Sequence, residues 1–217
     1  MLKIQRLASE FIGTATLVLA VVGSGAMAVN LSNDGGVQLL INALSTVLVL
    51  GILISIFSAI SGSHFNPVVT LVVLVKSKIE KVEALLFVLV QIAGALFGAL
   101  LANVMFELPA VNVSTHTRGG FAIWLGEVIA TCGLIFIIEY GASGTRGNLA
   151  PILIPAWIGG AYFFTSSTSF ANPAVTIGRS ISNTFSGIAP SSVGAFIAAQ
   201  LLGASLGFAL SVLFTRK

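Results

Sequence analysis

Residues 66–70 read Asn-Pro-Val-Val-Thr, and residues 172–176 repeat the pattern as Asn-Pro-Ala-Val-Thr. Asn is favoured just before a helix, and Pro is favoured in the first helical turn, where its missing N–H has no partner to lose. Each stretch therefore predicts the start of a helix. About ten residues at 1.5 Å rise reach from the centre of a bilayer to one surface. We expect half-helices over 67–76 and 173–182.

Two further patterns also occur twice, in the same order along the chain. The pattern Glu-x-x-small-Thr begins at Glu10 and again at Glu127. The pattern Gln-x-x-Gly-Ala-x-x-Gly begins at Gln91 and again at Gln200. Since three pairs agree in order and in approximate spacing, we infer an internal duplication.

The composition is that of a membrane protein. Of 217 residues, 56% are hydrophobic and only 17 are charged, 10 Lys+Arg and 7 Asp+Glu, whereas a soluble domain has roughly 25% charged residues. This excludes a soluble enzyme and a nucleic-acid-binding domain. A bilayer span needs about 20 apolar residues. Six stretches are long enough: 8–29, 38–60, 82–106, 121–141, 150–170 and 190–214.

The predicted fold is an all-α membrane protein of one channel domain, residues 1–217, with six transmembrane helices and two re-entrant half-helices. Each repeat, about 1–110 and 111–217, contains three spans. Because three is odd, the second repeat enters the membrane inverted. The half-helices then meet at mid-depth from opposite faces, preceded by the polar stretches 61–65 and 166–171, which must line a wet cavity. Two positive helix ends there repel cations and admit neutral solutes with oxygen acceptors.

The basic residues predict the orientation. Eight lie on one side of the six spans and two on the other, and the richer side is expected to be cytoplasmic. The predicted cytoplasmic set is Lys3, Arg6, Lys76, Lys78, Lys81, Arg146, Arg216 and Lys217. The predicted outer set is Arg118, in a loop expected to be solvated surface, and Arg179. Both termini are thus predicted to be cytoplasmic in a multi-pass protein of the inner (plasma) membrane.

These motifs resemble the signatures of the aquaporin, or major intrinsic protein, family, and the resemblance covers nearly the whole chain. Residues 61–70 are similar to the first signature and residues 169–174 to the second. The resemblance implies passive conduction, contact with membrane lipid and a homotetramer with one pore per subunit. It also implies that Glu10 and Glu127 accept hydrogen bonds from the re-entrant loops. The implied pore midplane comprises Asn66, Pro67, Val68, Asn172, Pro173 and Ala174.

Two residues depart from the family pattern. Val68 replaces the usual Ala of the first motif, which adds two methyl groups near the midplane. Val175 stands where the family nearly always has an Arg that narrows the outer constriction and adds a positive charge. The resemblance therefore implies an uncharged outer filter, wider than in a water-selective member.

Counting from the motifs places the other filter residues. Thr46 and Ser169 follow directly, with Phe170 close by. For the member on the fifth span, counting back from the second motif gives Gly160, and counting from the start of the helix gives Tyr162. We favour Tyr162 because loops absorb deletions better than packed helices do.

Several roles have two interpretations. His64 either packs within its loop or acts as a gate. Arg179 either places a positive charge in the outer vestibule or serves structure, reaching lipid headgroups or capping a loop. Glu10 and Glu127 either satisfy loop N–H groups or titrate during transport. The sequence contains no cluster with metal-ligand spacing and no catalytic motif, so we expect no metal, cofactor or enzymatic activity.

The sequence therefore predicts a passive channel similar to bacterial aquaglyceroporins. Water, glycerol, urea and neutral metalloid hydroxides such as arsenous acid fit an uncharged polar pore. The alternative is a proton-coupled secondary transporter that uses Glu10 or Glu127, and a third possibility is a non-conducting membrane scaffold.

Overall fold

The computed structural model of the protein describes residues 3–215, which form an all-helical membrane fold. Arg216 and Lys217, which the charge count assigned to the cytoplasmic side, lie outside the described residues. The helices are α1 Lys3–Leu31, α2 Gly35–Phe57, α3 Pro67–Val75, α4 Lys81–Met105, α5 Phe121–Phe136, α6 Ala150–Phe164, α7 Pro173–Arg179 and α8 Pro190–Thr215. A π-helical segment, Ile137–Gly141, continues α5, and a 3₁₀ helix, Gly144–Leu149, leads into α6.

Six helical stretches within the described residues are long and apolar enough to cross a membrane, as predicted. The fifth predicted span, 150–170, is too long, since α6 ends at Phe164. Beyond it, Thr165 has extended backbone, and its hydroxyl bonds to the carbonyl of Ala161. Short polar side chains compete with the backbone for such hydrogen bonds and favour turns. The residues that follow α6 accordingly form a loop.

The two half-helices begin at Pro67 and Pro173, as the repeated motif predicts. The second ends at Arg179 rather than at residue 182. The carbonyls of Ser180 and Ile181 accept hydrogen bonds from backbone N–H groups of the loop at 112–114, at 2.9 and 3.0 Å. This pairing draws the chain out of the helix.

The two halves of the chain pack in the same way. Helix α1 packs against α4, and its counterpart α5 packs against α8. A Cβ atom at Gly98 would lie 2.1 Å from the carbonyl oxygen of Ala15, and one at Gly207 would lie 2.2 Å from that of Cys132. Only glycine allows the backbones to come this close. The two helix pairs therefore surround the half-helices in the same way.

One face of α2 is apolar and exposed. Its residues recur every four positions, which places them along one side of the helix. They are Leu40, Leu44, Leu48, Ile52 and Ile56. In a membrane this face contacts lipid or another protein surface.

Candidate functional site: a pore between the half-helices

The first re-entrant loop is anchored by Glu10, which is fully buried in α1. One carboxylate oxygen accepts hydrogen bonds from the backbone N–H of His64 (2.9 Å) and the hydroxyl of Ser61 (2.5 Å). The other accepts from the backbone N–H of Phe65 (2.7 Å) and the side-chain amide of Gln91 (2.8 Å). Because Phe65 has a positive φ of 47°, the loop is strained, and these bonds hold it in place.

Glu127 anchors the second loop in the same way. Its oxygens accept hydrogen bonds from the backbone N–H groups of Phe170 (2.8 Å) and Ala171 (2.9 Å). The amide of Gln200 donates a third bond, at 2.7 Å. The repeated Glu and Gln positions therefore form two equivalent buried networks, which fix the loops that precede the half-helices.

The two loops are also joined to each other through asparagine side chains. The amide nitrogen of Asn66 donates to the carbonyl of Ala171, and that of Asn172 donates to the carbonyl of Phe65, both at 2.8 Å. The two side-chain oxygens accept from backbone N–H groups in the first turns of α3 and α7. Each amide nitrogen carries two hydrogens, so one remains for another partner.

A cavity of about 70 Å³ runs between the two repeats, and Asn66 and Asn172 both line it. Pro67, Val68, Pro173 and Ala174 were predicted at the pore midplane with the asparagines, but they are buried and do not line this cavity. Val68 packs in an apolar cluster with α3, α5 and α8 residues, so its extra methyl groups point into protein. Apolar side chains of α1, α2, α5 and α6 form much of the remaining wall: Leu17, Val21, Leu50, Ile54, Leu134, Ile154 and Ile158.

The predicted filter residues come together along this cavity. Its wall contains Thr46, Tyr162, Ser169, Phe170 and Val175. The hydroxyls of Thr46 and Tyr162 lie 3.3 Å apart. The Ser169 hydroxyl has no hydrogen-bond partner within residues 3–215. The structure therefore places three hydroxyl groups and two apolar side chains of the predicted filter on the wall of one cavity.

The structure also shows where Gly160 and His64 lie relative to the cavity. Gly160, the alternative filter residue, is exposed on α6 and does not line the cavity. His64 does line it, with its Nδ1 3.0 Å from the hydroxyl of Thr70 and its ring edge-on to Phe87. These contacts hold the imidazole in its loop.

Comparison with known proteins agrees with this architecture. The family model described as "Major intrinsic protein" matches residues 1–169. The chain belongs to this family. The assignment confirms the predicted class, a passive membrane channel rather than an enzyme.

Individual relatives within the family cover almost the whole chain. The chain is 43% identical over 206 residues to "Aquaglyceroporin AqpS" of Rhizobium meliloti (strain 1021), covering 95% of this chain and 88% of the relative. It is 31% identical over 217 residues to "Probable aquaporin TIP2-2" of Arabidopsis thaliana, with coverage of 92% and 84%. The X-ray structure of the aquaglyceroporin from Plasmodium falciparum has the same fold, with a TM-score of 0.74, 16% identity and coverage of 96% and 95%.

The position of Arg179 bears on the prediction that the outer filter of this major intrinsic protein is uncharged. Arg179 is 2% exposed and lines the cavity together with Val175. Its Nε donates to the carbonyl of Ser186, and its guanidinium carbon lies 3.3 Å from the centre of the Phe170 ring. The interpretation as a side chain that reaches lipid headgroups is therefore wrong. The arginine caps a loop and brings a positive charge to the cavity wall.

Arg118 also departs from the prediction of a solvated surface residue. Its Nε donates to the carbonyl of Gly187 at 2.9 Å, and its Nη2 donates to that of Phe185 at 3.3 Å. The guanidinium carbon lies 5.2 Å from the Phe170 ring centre. Burial lowers the pKa of Arg118, but a guanidinium stays protonated in proteins. Neither composition nor motif spacing indicated that the side chain of Arg118 folds inward onto this loop.

Candidate metal ligands do not cluster in the described part of the chain, where no three His, Cys, Asp or Glu side chains come together. The two ion pairs there join Arg6 to Glu83, at 2.6 Å, and Lys76 to Glu139. Both lie apart from the filter residues and do not line the central cavity. The chemistry of the cavity is therefore that of hydroxyls, amides, carbonyls, apolar side chains, the imidazole of His64 and the guanidinium of Arg179.

Proposed function

We propose that this protein is a passive channel for water, glycerol and other small neutral solutes, which cross the membrane through the cavity between the half-helices. The observation that carries the proposal is the meeting of Asn66 and Asn172 on the cavity wall, each at the N-terminus of a half-helix. A helix N-terminus carries about half a positive charge. Two such ends and two amide donors favour an oxygen acceptor and disfavour a cation.

The filter chemistry supports polyols among the solutes. Glycerol has a carbon side and a hydroxyl side, and the filter offers Val175 and Phe170 for the first and the hydroxyls of Thr46, Tyr162 and Ser169 for the second. Urea and arsenous acid are also neutral and rich in hydrogen-bonding groups, so we include them in the solute class. The relative at 43% identity is named an aquaglyceroporin, which agrees with this assignment.

The positions of the carboxylates argue against a proton-coupled transporter. A coupling carboxylate must reach the transport pathway, but Glu10 and Glu127 are fully buried and do not line the cavity. Each is also occupied by hydrogen bonds from its loop. Their geometry suits a structural anchor.

We further propose a homotetramer with both termini in the cytoplasm of the cell, inserted in the plasma membrane. The exposed apolar face of α2 described above supports a subunit contact. The excess of basic residues in the loops on the side of the termini supports the orientation. From here on, the end of the cavity near Arg179 is referred to as its outer end.

Stopped-flow light scattering on proteoliposomes tests the function. We expect vesicles with the protein to swell in glycerol and urea gradients faster than empty vesicles. The flux should rise linearly with the gradient and should not depend on a pH difference. A flux that saturates and follows the pH gradient would establish the transporter, and the absence of any flux would leave only a scaffold.

A further inference from the structure

A second cavity, of about 250 Å³, adjoins the outer end of the central cavity at Arg179. Arg118, from the loop before α5, and Arg179, from the end of α7, both line it. Arg179 lines the central cavity as well, so it stands between the two. The remaining lining residues are neutral: Gly35, Leu39, Asn42, Thr168 and Phe185.

The two guanidinium groups are close together. Their carbon atoms lie 5.2 Å and 3.3 Å from the centre of the same Phe170 ring, so they are no more than 8.5 Å apart. Like charges at this separation repel. A negatively charged ligand between them would relieve the repulsion.

Together the two arginines donate hydrogen bonds to three consecutive carbonyls. Some of their N–H groups form no hydrogen bond within residues 3–215. Arg118 bonds to the carbonyls of Phe185 and Gly187, and Arg179 bonds to that of Ser186 between them. Within residues 3–215, Arg179 donates only from Nε, although an arginine has four more N–H groups on its two terminal nitrogens. Those groups belong to a buried side chain that borders two cavities.

No carboxylate neutralises this pair in the part of the chain that the structure describes, where the two ion pairs involve other residues. The charge of Glu127 acts on both arginines, but Glu127 forms no ion pair with either, and its oxygens accept hydrogen bonds from the second loop. One buried and one partly buried cation therefore share a cavity with no described carboxylate in ion-pair contact with either.

We propose that Arg118 and Arg179 form a binding site for a small oxyanion at the outer end of the pore, and that the bound oxyanion blocks solute flux. A guanidinium presents a planar fork of donors that matches two oxygens of a sulfate, phosphate or carboxylate group. Arg179 borders both cavities, so an anion bound to it would place its charge and bulk against the central cavity, the proposed path of the solute. The blocking effect rests on the proposed channel function, but the binding does not.

The anion stops at this site because much of the central cavity wall is apolar, and Arg179 is the only Arg or Lys among its described lining residues. Leu17, Leu50 and Ile158 belong to that wall and offer no hydrogen bonds to a dehydrated charge. Carrying an uncompensated charge through such a stretch is costly. The site therefore binds the anion without conducting it.

The test compares sulfate with chloride, at equal ionic strength and osmolarity, on both sides of the vesicle membrane. We expect about 100 mM sulfate to slow glycerol flux about threefold or more, since two guanidiniums offer charge-assisted bonds. Sulfate should also raise the thermal unfolding midpoint of the detergent-solubilised protein, because a ligand that binds only the folded state stabilises it. If glycerol flux is absent even in chloride, the channel proposal fails and the unfolding midpoint still tests the site.

Variants identify the site. Arg118→Gln should remove both effects of sulfate, and Arg118→Lys, which keeps the charge but not the fork, should weaken them. The lysine variant keeps the test decisive if the glutamine variant does not assemble. Arg146→Gln is the matched control, because Arg146 also stacks on an aromatic ring, that of Tyr140, but lies away from this cavity. The proposal is overturned if sulfate has neither effect on the parent, or if both effects persist unchanged in the Arg118 variants.

Discussion

Asn66 and Asn172 each hold the loop of the opposite repeat. The amide nitrogen of each donates a hydrogen bond to a carbonyl oxygen 2.8 Å away, across the interface between the repeats. Their side-chain oxygens meanwhile cap their own half-helices. Each asparagine thus uses its oxygen for its own repeat and its nitrogen for the other. This reciprocal arrangement ties the position of both helix N-termini to the wall of the pore.

Replacing Asn172 with Asp should disturb this arrangement with little change in size. The carboxylate still caps α7, but it loses the amide donor to Phe65 and adds a negative charge beside two positive helix ends. We expect neutral-solute flux to fall and cation leak to rise, measured by light scattering and by ion flux in vesicles.

The control for this variant is Asn183→Asp. Asn183 is exposed, and its side-chain oxygen accepts a hydrogen bond from the backbone of Thr115, which a carboxylate can also accept. It should leave both fluxes unchanged. If assembled Asn172→Asp protein shows unchanged solute flux and no cation leak, Asn172 does not contribute to the conducting surface.

The two glutamates give a prediction about stability. Glu127→Gln retains one carbonyl oxygen but turns an NH₂ group toward donors such as the N–H of Ala171 or the amide of Gln200. Leaving buried donors unsatisfied costs about 1–3 kcal/mol for each group. We expect a lower thermal unfolding midpoint, with no dependence of the remaining flux on a pH gradient.

Glu107→Gln, at an exposed position, is the control and should keep the parent midpoint. A folded Glu127→Gln channel with parent stability would mean that the anchor is dispensable. A pH-driven flux in the parent that disappears in Glu127→Gln would instead identify the glutamate as a coupling group.

The repeat explains why so much of this core could be predicted from the sequence. Glu10, Asn66 and Gln91 recur in the second half, and the two copies form equivalent hydrogen bonds. The length of the apolar stretches located the six spans, since length and hydropathy decide what can cross a bilayer.

The conformation of Arg179 could not be predicted in this way. Its spacing from Val175 placed it one turn further along a similar face. Whether its side chain extends to headgroups or folds over Phe170 depends on the carbonyl of Ser186, in a loop that belongs to no repeated motif. The end of α7 likewise depends on pairing with a distant loop, which sequence patterns of short range do not contain.

Two glycines of α8 give a matched test of the helix packing. Gly207→Ala would place a Cβ 2.2 Å from the carbonyl oxygen of Cys132, whereas Gly194→Ala meets nothing within 4 Å. Overpacking costs typically about 1–3 kcal/mol, and Ala is favoured over Gly in a helix by about 1 kcal/mol. We expect Gly207→Ala to lower the unfolding midpoint and Gly194→Ala to keep or raise it. Equal midpoints would contradict the close contact between α5 and α8.

The proposed orientation is tested by cysteine labelling in a background that lacks Cys132. A cysteine at Ser143, in the turn before the 3₁₀ helix, should react with an impermeant reagent only from the cytoplasmic side. One at Thr117, which is exposed in the loop before α5, should react only from outside. The opposite pattern would reverse the assignment of the outer end and of the arginine pair.

The last prediction concerns the filter. Val175 is 5% exposed and lines the cavity with Thr46 and Ser169. Arg is much larger, is always charged and presents five donors. Val175→Arg should therefore narrow the outer constriction and slow glycerol by about tenfold, while water, which is much smaller, is slowed far less. The ratio of water to glycerol flux is the quantity to measure, because a general loss of both would also follow from misfolding.

Val175→Met separates size from charge, since Met is longer than Val but uncharged. If Met reproduces the whole change in the flux ratio, the bore alone selects the solute; a larger change with Arg identifies a contribution of charge. The new arginine would lie one turn from Arg179 at a buried position, where like charges repel more strongly than on an exposed helix surface. The flux ratio is therefore compared only in protein whose assembly has been verified by size-exclusion chromatography. An assembled Val175→Arg protein that passes glycerol as fast as the parent would show that Val175 lies outside the constriction, and the assignment of Thr46 and Ser169 would fall with it.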